Sequence, residues 1–251
     1  MHPNGAKDIG CMAEDESQDH AKGASVIFQT REEAGRQLAA RLRTYQDAPD
    51  GLILALPRGG VPLGHELSII LHLPLDVFIT RKIGAPFDPE YALGAVSETG
   101  NVYLNPDFIV EFGGSSPVVA DLVNRERREI ARRQTLYRQR RHPLPIHDRL
   151  VILVDDGIAT GATFLASVEA IRLQGPKRLV GAIPVGPRET IAKARAVVDE
   201  LIVLSTPEPF WSVGSHYAQF PQLDDRKVLE YLHSAEQFFR KGRKQAPTVR
   251  V

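Results

Sequence analysis

The stretch that most constrains this chain is Leu150-Val151-Ile152-Leu153-Val154-Asp155-Asp156-Gly157-Ile158-Ala159-Thr160-Gly161-Ala162-Thr163. Its unbroken aliphatic start reads as a central parallel strand buried on both faces. Two carboxylates close that strand, a loop of small and hydroxyl residues follows, and Leu165, Val168 and Ile171 then recur at helical spacing. Backbone amides from Thr160 to Thr163 at the start of a helix lack intrahelical partners and lie at the positive end of the helix dipole. That environment suits a phosphate monoester. Thr160 and Thr163 add hydroxyl donors, and Gly161 lets the backbone approach a ligand closely. Asp155 and Asp156 would repel the same phosphate, so they suit hydroxyl groups beside it, such as a ribose diol. A phosphorylated ribose fits both halves. The glycine-rich run ending in Gly-Lys-Ser/Thr of a Walker loop is absent, as is a Gly-x-Gly dinucleotide fingerprint.

Thr30-Arg31-Glu32-Glu33 has the form of a capping box, opening a helix with Ala34, Leu38, Leu42 and Tyr45 on one face. Leu52–Leu56 reads as a short buried strand ending in Pro57-Arg58-Gly59-Gly60, with a helix from Val61 to about Leu71. Leu75–Thr80 is expected as the next strand, delivering Arg81-Lys82 at its end. Leu93–Val96 and Val102–Leu104, around Glu98-Thr99-Gly100-Asn101, predict a β-hairpin. Asn105-Pro106 and Ser116-Pro117 each resemble a helix cap followed by proline in the first turn. The long helix after Ser116 carries Val123, Ile130 and Tyr137 at seven-residue spacing, together with eight arginines between Arg125 and Arg141. Strand 179–184, helix 188–198, strand 201–204 and a terminal helix from about Asp224 to Phe239 complete the pattern.

Strands alternating with helices imply right-handed crossovers and a mainly parallel sheet, whose ligand crevice lies outside the carboxyl ends of the strands. Arg58-Gly59-Gly60, Arg81-Lys82 and Asp155-Asp156 all fall at such expected ends. Their convergence predicts one composite site. Arg58 beside two glycines suits a diphosphate, because a guanidinium donates two parallel hydrogen bonds to phosphate oxygens; a plain turn is the alternative. Arg81-Lys82 reads either as cations over a departing anion or as a solvated basic pair. The arginine-rich helix has three readings: a solvated face over the Val123/Ile130/Tyr137 stripe, a subunit interface as in a homodimer, or an anion-binding surface.

The 150–163 segment resembles the phosphoribosyl-diphosphate (PRPP) motif of type I phosphoribosyltransferases. The resemblance covers roughly residues 25–240. It is closest to a bacterial branch of predicted phosphoribosyltransferases with no assigned acceptor, which shares Pro57-Arg58-Gly59-Gly60 and the Val154–Thr163 run. It implies an α/β fold, a central mainly parallel sheet flanked by helices, with a flexible β-hairpin lid and a small hood. The chain would divide into a disordered tail (1–24), the transferase domain (25–240, hood about 205–223, C-terminal helix 224–240) and a basic tail (241–251). The implied reaction moves phosphoribosyl from PRPP to a nitrogenous acceptor with release of pyrophosphate, Mg²⁺ neutralising the diphosphate. A sensor of PRPP or a nucleotide without turnover, and a phosphohydrolase, are the other classes.

By that resemblance Asp155 and Asp156 hold the ribose hydroxyls. Gly157, Ala159, Thr160, Gly161, Ala162 and Thr163 hold the 5′-phosphate, and Arg58, Gly59 and Gly60 hold pyrophosphate. Arg81 and Lys82 match the family's mobile catalytic loop. Ala159 stands where 6-oxopurine enzymes usually carry an aspartate; the adenine enzymes also have alanine there and use a glutamate in the hairpin. Glu98 falls at a comparable place, with a turn glutamate as the alternative. Phe210 and Trp211 lie where the family folds a hood over the nucleobase; they either stack on a base or fill the hood's own core.

Composition bounds the rest. Lys+Arg and Asp+Glu both number 31, which weighs against a nucleic-acid partner, as does the lack of a recognised reading motif. The single cysteine, Cys11, allows no intramolecular disulfide and fits a reducing cytoplasm. No basic region followed by an apolar core opens the chain, and the Leu67–Leu75 run, broken by His72 and Pro74, is too short to span a bilayer. The histidines show no metal-ligand spacing, and Ser215-His216-Tyr217 has no identifiable partner acid.

Overall fold

The computed structural model describes residues 27–85, 92–104, 117–139 and 141–245. The expected tail (1–24), the Asn105-Pro106 and Ser116 caps, Arg140 and the end of the basic tail (246–251) lie outside the described residues.

The first described helix is α1 (Arg31–Arg41), capped as its sequence predicts: the Thr30 side chain accepts from the Glu33 amide. Strand β1 (Gly51–Ala55) leads to α2 (Gly60–Leu71) and β2 (Leu75–Val77). An antiparallel sheet follows, made of β3 (Thr80–Gly84), β4 (Ala92–Ser97) and β5 (Val102–Leu104). The arginine-rich helix is α3 (Pro117–Arg138). Then come β6 (Leu150–Val154), α4 (Ala162–Arg172), β7 (Arg178–Val185), α5 (Arg188–Arg195), β8 (Glu200–Ser205) and α6 (Asp225–Gln245). No described helix is long and apolar enough to cross a membrane.

The main sheet is parallel throughout, in the order β2-β1-β6-β7-β8. Strand β6 is buried at every position, as its unbroken aliphatic run dictates. Its side chains divide by period two. Leu150, Ile152 and Val154 join the core under α1 and α2, and Val151 and Leu153 join the core under α4 and α5.

One expected element divides. Leu75–Thr80 does not run as a single strand into Arg81-Lys82. After Val77 the chain leaves the parallel sheet: the Phe78 amide makes a last bond to Ala55 O, and the Ile79 amide goes to the Glu98 carboxylate. Arg81 and Lys82 therefore sit inside β3, paired with Val96 and Ala95 of β4, rather than beyond a strand end. The expected β4–β5 hairpin is present, with Val96 opposite Val102.

Candidate active site at the switch point of the sheet

From β1 the chain crosses to β2 on one side, and β6 is laid down on the other. The strand order reverses between β1 and β6, and the crevice of an open α/β sheet lies at such a point. The Leu56 amide donates to Val154 O at 2.9 Å, tying the loop after β1 to the end of β6. The Pro57–Arg58 peptide is cis. Glycine is required twice here for lack of room. A Cβ on Gly59 would lie 2.1 Å from Asp156 Oδ2, and one on Gly60 would lie 2.6 Å from Val154 O. The Pro57–Gly60 loop is thus laid directly against the acidic pair.

Burial pushes the Asp155 carboxyl well above the usual carboxylate range, and the charge of Asp156 pushes it further. Asp156 is also raised by burial, against the opposing pull of Arg31, whose Nε donates to Asp156 Oδ2 at 2.8 Å. Arg31 donates in addition to Pro221 O and stacks over the Phe220 ring at 3.6 Å. The Tyr217 hydroxyl donates to Asp156 O at 2.6 Å, and burial raises its pKa strongly.

Beyond the pair, Gly161 sits at φ +80° as the N-cap of α4, a conformation suited to glycine. A Cβ there would meet Thr190 Cγ2 at 2.7 Å, and the Thr190 hydroxyl donates to Ala159 O. The loop is therefore braced from α5. Among the described residues no side chain caps α4 beyond Thr160 Oγ1, which approaches the Ala162 amide at 3.5 Å, so the first-turn amides are left for a ligand or water. Ala159 and Thr160 are exposed.

Strand alternation separates Arg81 from Lys82. Thr80 shares a hydrogen bond with Ser167 of α4, and Lys82 lies on the same face of β3. Arg81 faces the other way, where its Nε donates to Glu126 Oε2 of α3 at 2.9 Å. Arg81 lines a cleft of about 480 Å³ together with Arg31, Arg58, Arg133, Asp156 and Phe220. All four guanidiniums in this cleft have a carboxylate near Nε, with a hydrogen bond to it for Arg31, Arg81 and Arg133 but not for Arg58, whose Nε is buried without a hydrogen-bond partner. The carboxylate is Asp156 for Arg31, Asp225 for Arg58 (3.1 Å), Glu126 for Arg81 and Glu129 for Arg133 (2.7 Å). Arg58 donates to Leu223 O at 2.6 Å.

Lys82, on the other face of β3, does not line this cleft, and neither do Glu98, Phe210 and Trp211. Glu98 is buried in an ion pair: its carboxylate takes both terminal nitrogens of Arg138, at 3.0 and 2.8 Å, and the Ile79 amide. Its place in the hairpin is that of a structural counter-ion, because an acidic side chain turned inward from the turn needs a buried cation. Phe210 packs against the His216 ring at 5.1 Å, and Trp211 is 66% exposed. The reading of the arginine-rich helix as a solvated face holds for Arg127 and Arg128 but not for Arg133 and Arg138, which are buried with Val123, Ile130 and Tyr137.

Sequence reading missed Arg31, Arg133, Phe220 and Tyr217. Arg31 was absorbed by the helix cap, and Arg133 is one arginine among many. Only its place ten residues after Val123 and three after Ile130, on the inward side of the stripe, marks it. Among the described residues no group of three or more His, Cys, Asp or Glu is placed to hold a metal ion.

A Thermus thermophilus protein of known structure (TT1426) superposes with a TM-score of 0.69 at 36% identity, over 83% of this chain and 98% of that one. Two curated Mycobacterium tuberculosis proteins, provisionally named phosphoribosyl transferases, are each 40% identical over 214 residues, which is 85% of this chain. The chain spans about half the length of these curated relatives, 48%. The family model described as "Phosphoribosyl transferase domain" matches residues 26–218, a span that runs from the β-bridge at Phe28 to Tyr217 and contains β1, β6 and the loops that follow them. The chain belongs to the type I phosphoribosyltransferase family.

Proposed function

We propose that the protein transfers the 5-phosphoribosyl group of PRPP to a nitrogen nucleophile, a nucleobase being the acceptor class the family favours, with release of pyrophosphate. The observation that carries this reading is the meeting of three elements at the β1/β6 switch point: the acidic pair, the uncapped N-terminus of α4 and the Pro57–Gly60 loop. In this reading Asp155 and Asp156 accept hydrogen bonds from the ribose hydroxyls. The amides and hydroxyls of Thr160–Thr163 hold the 5′-phosphate. Arg58 and the Gly59 and Gly60 backbone hold the diphosphate. Arg81 meets the leaving group from the cleft side, and Lys82, on the α4 side of β3, adds positive charge toward the phosphate loop.

In the transfer the acceptor nitrogen attacks C1 with inversion. The C1–N bond forms, the C1–O bond to pyrophosphate breaks with its electron pair leaving on oxygen, and the nitrogen's proton passes to the departing pyrophosphate or to water. Cations aimed at the departing diphosphate are worth most as its charge grows. Mg²⁺ fits the donor set: Asp155 and Asp156 would offer hard carboxylate oxygens to an ion whose remaining positions the ligand and water would fill. When bound it neutralises the diphosphate. Burial of Asp155 and Asp156 disfavours their charged forms, so a nearby cation and hydroxyl donors relieve a cost already present in the free protein.

Pyrophosphate release from Mg²⁺-PRPP across a panel of bases and amines tests this reading. Release dependent on one acceptor supports it. Saturable PRPP binding without release from any acceptor supports the second reading, a PRPP sensor.

A further inference from the structure

The long arginine-rich helix has no counterpart in the roles given above to the three loops, yet it forms a wall of the cleft. We propose that Arg133 of α3 binds the diphosphate of PRPP, so that the leaving group is held between the Pro57–Gly60 loop and a guanidinium supplied by this helix. The inference rests on the transferase reading and adds a residue to it.

The Arg133 side chain is 7% exposed, yet none of its nitrogens is buried without a hydrogen-bond partner, so the terminal donors of its fork reach the cleft. Among the described residues only Nε finds a partner, Glu129 Oε1 at 2.7 Å. Glu129 does not require Arg133 as its counter-ion. Arg132, on the solvent side of the same turn, already takes both its oxygens, at 2.8 and 2.9 Å. What the Glu129 contact does is fix the orientation of Arg133, leaving the terminal nitrogens on the cleft wall beside Arg58 and Arg81.

Arg81 is held in the same way by Glu126, and Arg58 by Leu223 O with Asp225 beside it, so three guanidiniums from three separate elements are oriented before any ligand arrives. Three forks converging on a cleft next to Asp156 match a ligand with several anionic oxygens on adjacent phosphorus atoms. A single phosphate or a carboxylate would engage only part of such a set.

Calorimetry on the full chain with three probes tests the assignment: Mg²⁺-PRPP, Mg²⁺-pyrophosphate and ribose 5-phosphate. R133Q should weaken the first two by about ten- to a hundredfold, the worth of a charge-assisted bidentate contact, and leave ribose 5-phosphate unchanged. R133K should recover part of the loss, because a point charge replaces a fork. R128Q, an exposed change on the same helix, should alter none of the three. Unchanged pyrophosphate affinity in R133Q overturns the inference, and so does an equal loss for ribose 5-phosphate, which would mark a structural role. Should R133Q not melt cooperatively, R133K decides: affinities equal to wild type overturn the inference, and a drop confined to the two diphosphates supports it. A wild-type protein that binds ribose 5-phosphate but not pyrophosphate overturns this inference alone. One that binds neither overturns the transferase reading as well.

Discussion

Arg31 and Asp156 lie 125 residues apart in sequence and form an ion pair at 2.8 Å, joining the first turn of α1 to the loop that follows β6. Their side chains are 8% and 13% exposed, so the pair is largely out of water. Removing one partner of such a pair leaves an uncompensated charge, which is costlier than the pair is beneficial. Arg31 also holds Pro221 O and the Phe220 ring, so it links the acidic pair to the segment between β8 and α6.

Arg31→Gln is therefore expected to lower unfolding stability by about 3 kcal/mol at neutral pH. Arg31 is what holds the raised Asp156 carboxyl down, so its loss lets that carboxyl rise further. Protonated Asp156 needs no cation, and the deficit should shrink as pH falls. Urea unfolding of wild type and variant between neutral and mildly acidic pH measures it. A deficit that is constant with pH would locate the effect in the Phe220 and Pro221 contacts instead.

Asp155 should behave in the opposite sense. Its folded-state carboxyl is raised above its unfolded value, so the proton binds more tightly in the folded state. That contribution to stability is present at low pH and is lost as pH rises through the folded value. Asp155→Asn removes the charge and keeps an oxygen that can accept from the Asp156 amide, a bond now 2.9 Å long. The variant is expected to be about 1 kcal/mol more stable at neutral pH, a gain of about 2–4 °C in Tm, with the gap widening as pH increases. PRPP affinity should fall at the same time. Calorimetric scans with and without Mg²⁺-PRPP check both halves, and a less stable variant would contradict the burial argument.

These two residues mark what the sequence could and could not show. The Leu150–Thr163 segment is local: a buried strand, an acidic pair and a helix start are all written within fourteen consecutive residues, and the structure follows them element by element. The parallel sheet and the hairpin were legible for the same reason, through periods of two and three to four residues. What was not legible depends on side-chain direction across long separations. Arg81 and Lys82 are adjacent in sequence and opposed in space because β3 continues through them. Glu98 meets Arg138, forty residues away, because the hairpin turns it inward. Arg133 is on the inward side of the Val123/Ile130 stripe, but that this side meets Arg58 and Arg81 at one cleft is a tertiary fact no linear pattern encodes.

The Glu98–Arg138 pair gives a third prediction. Both side chains are nearly enclosed, 6% and 7% exposed, and burial raises the Glu98 carboxyl against the pull of Arg138. Glu98→Gln cannot supply two anionic oxygens to the two terminal nitrogens. A loss of about 3 kcal/mol in unfolding stability is expected, with PRPP affinity of the folded protein within about twofold of wild type. Thermal melts paired with calorimetry separate the two quantities. A stable variant whose pyrophosphate release is abolished would restore Glu98 as a proton-handling group.

The chain has a single tryptophan, Trp211, so intrinsic tryptophan emission reports on one position. At 66% exposure its indole should emit at the wavelength of a solvated ring, while its neighbour Phe210 is already engaged with His216. If Trp211 stacks on a base, one of the two readings its sequence position allows, an acceptor added in the presence of ribose 5-phosphate and Mg²⁺-pyrophosphate should quench that emission and move it to shorter wavelength. Stacking of this kind is worth about 0.5–1.5 kcal/mol beyond area burial, so Trp211→Ala should weaken the acceptor by up to about tenfold and leave PRPP affinity unchanged. The titration doubles as a search for the acceptor, since each base or amine can be tested without turnover. An acceptor that supports pyrophosphate release yet leaves the emission untouched would remove Trp211 from the site and leave Phe220, already under the Arg31 guanidinium, as the aromatic surface of the cleft.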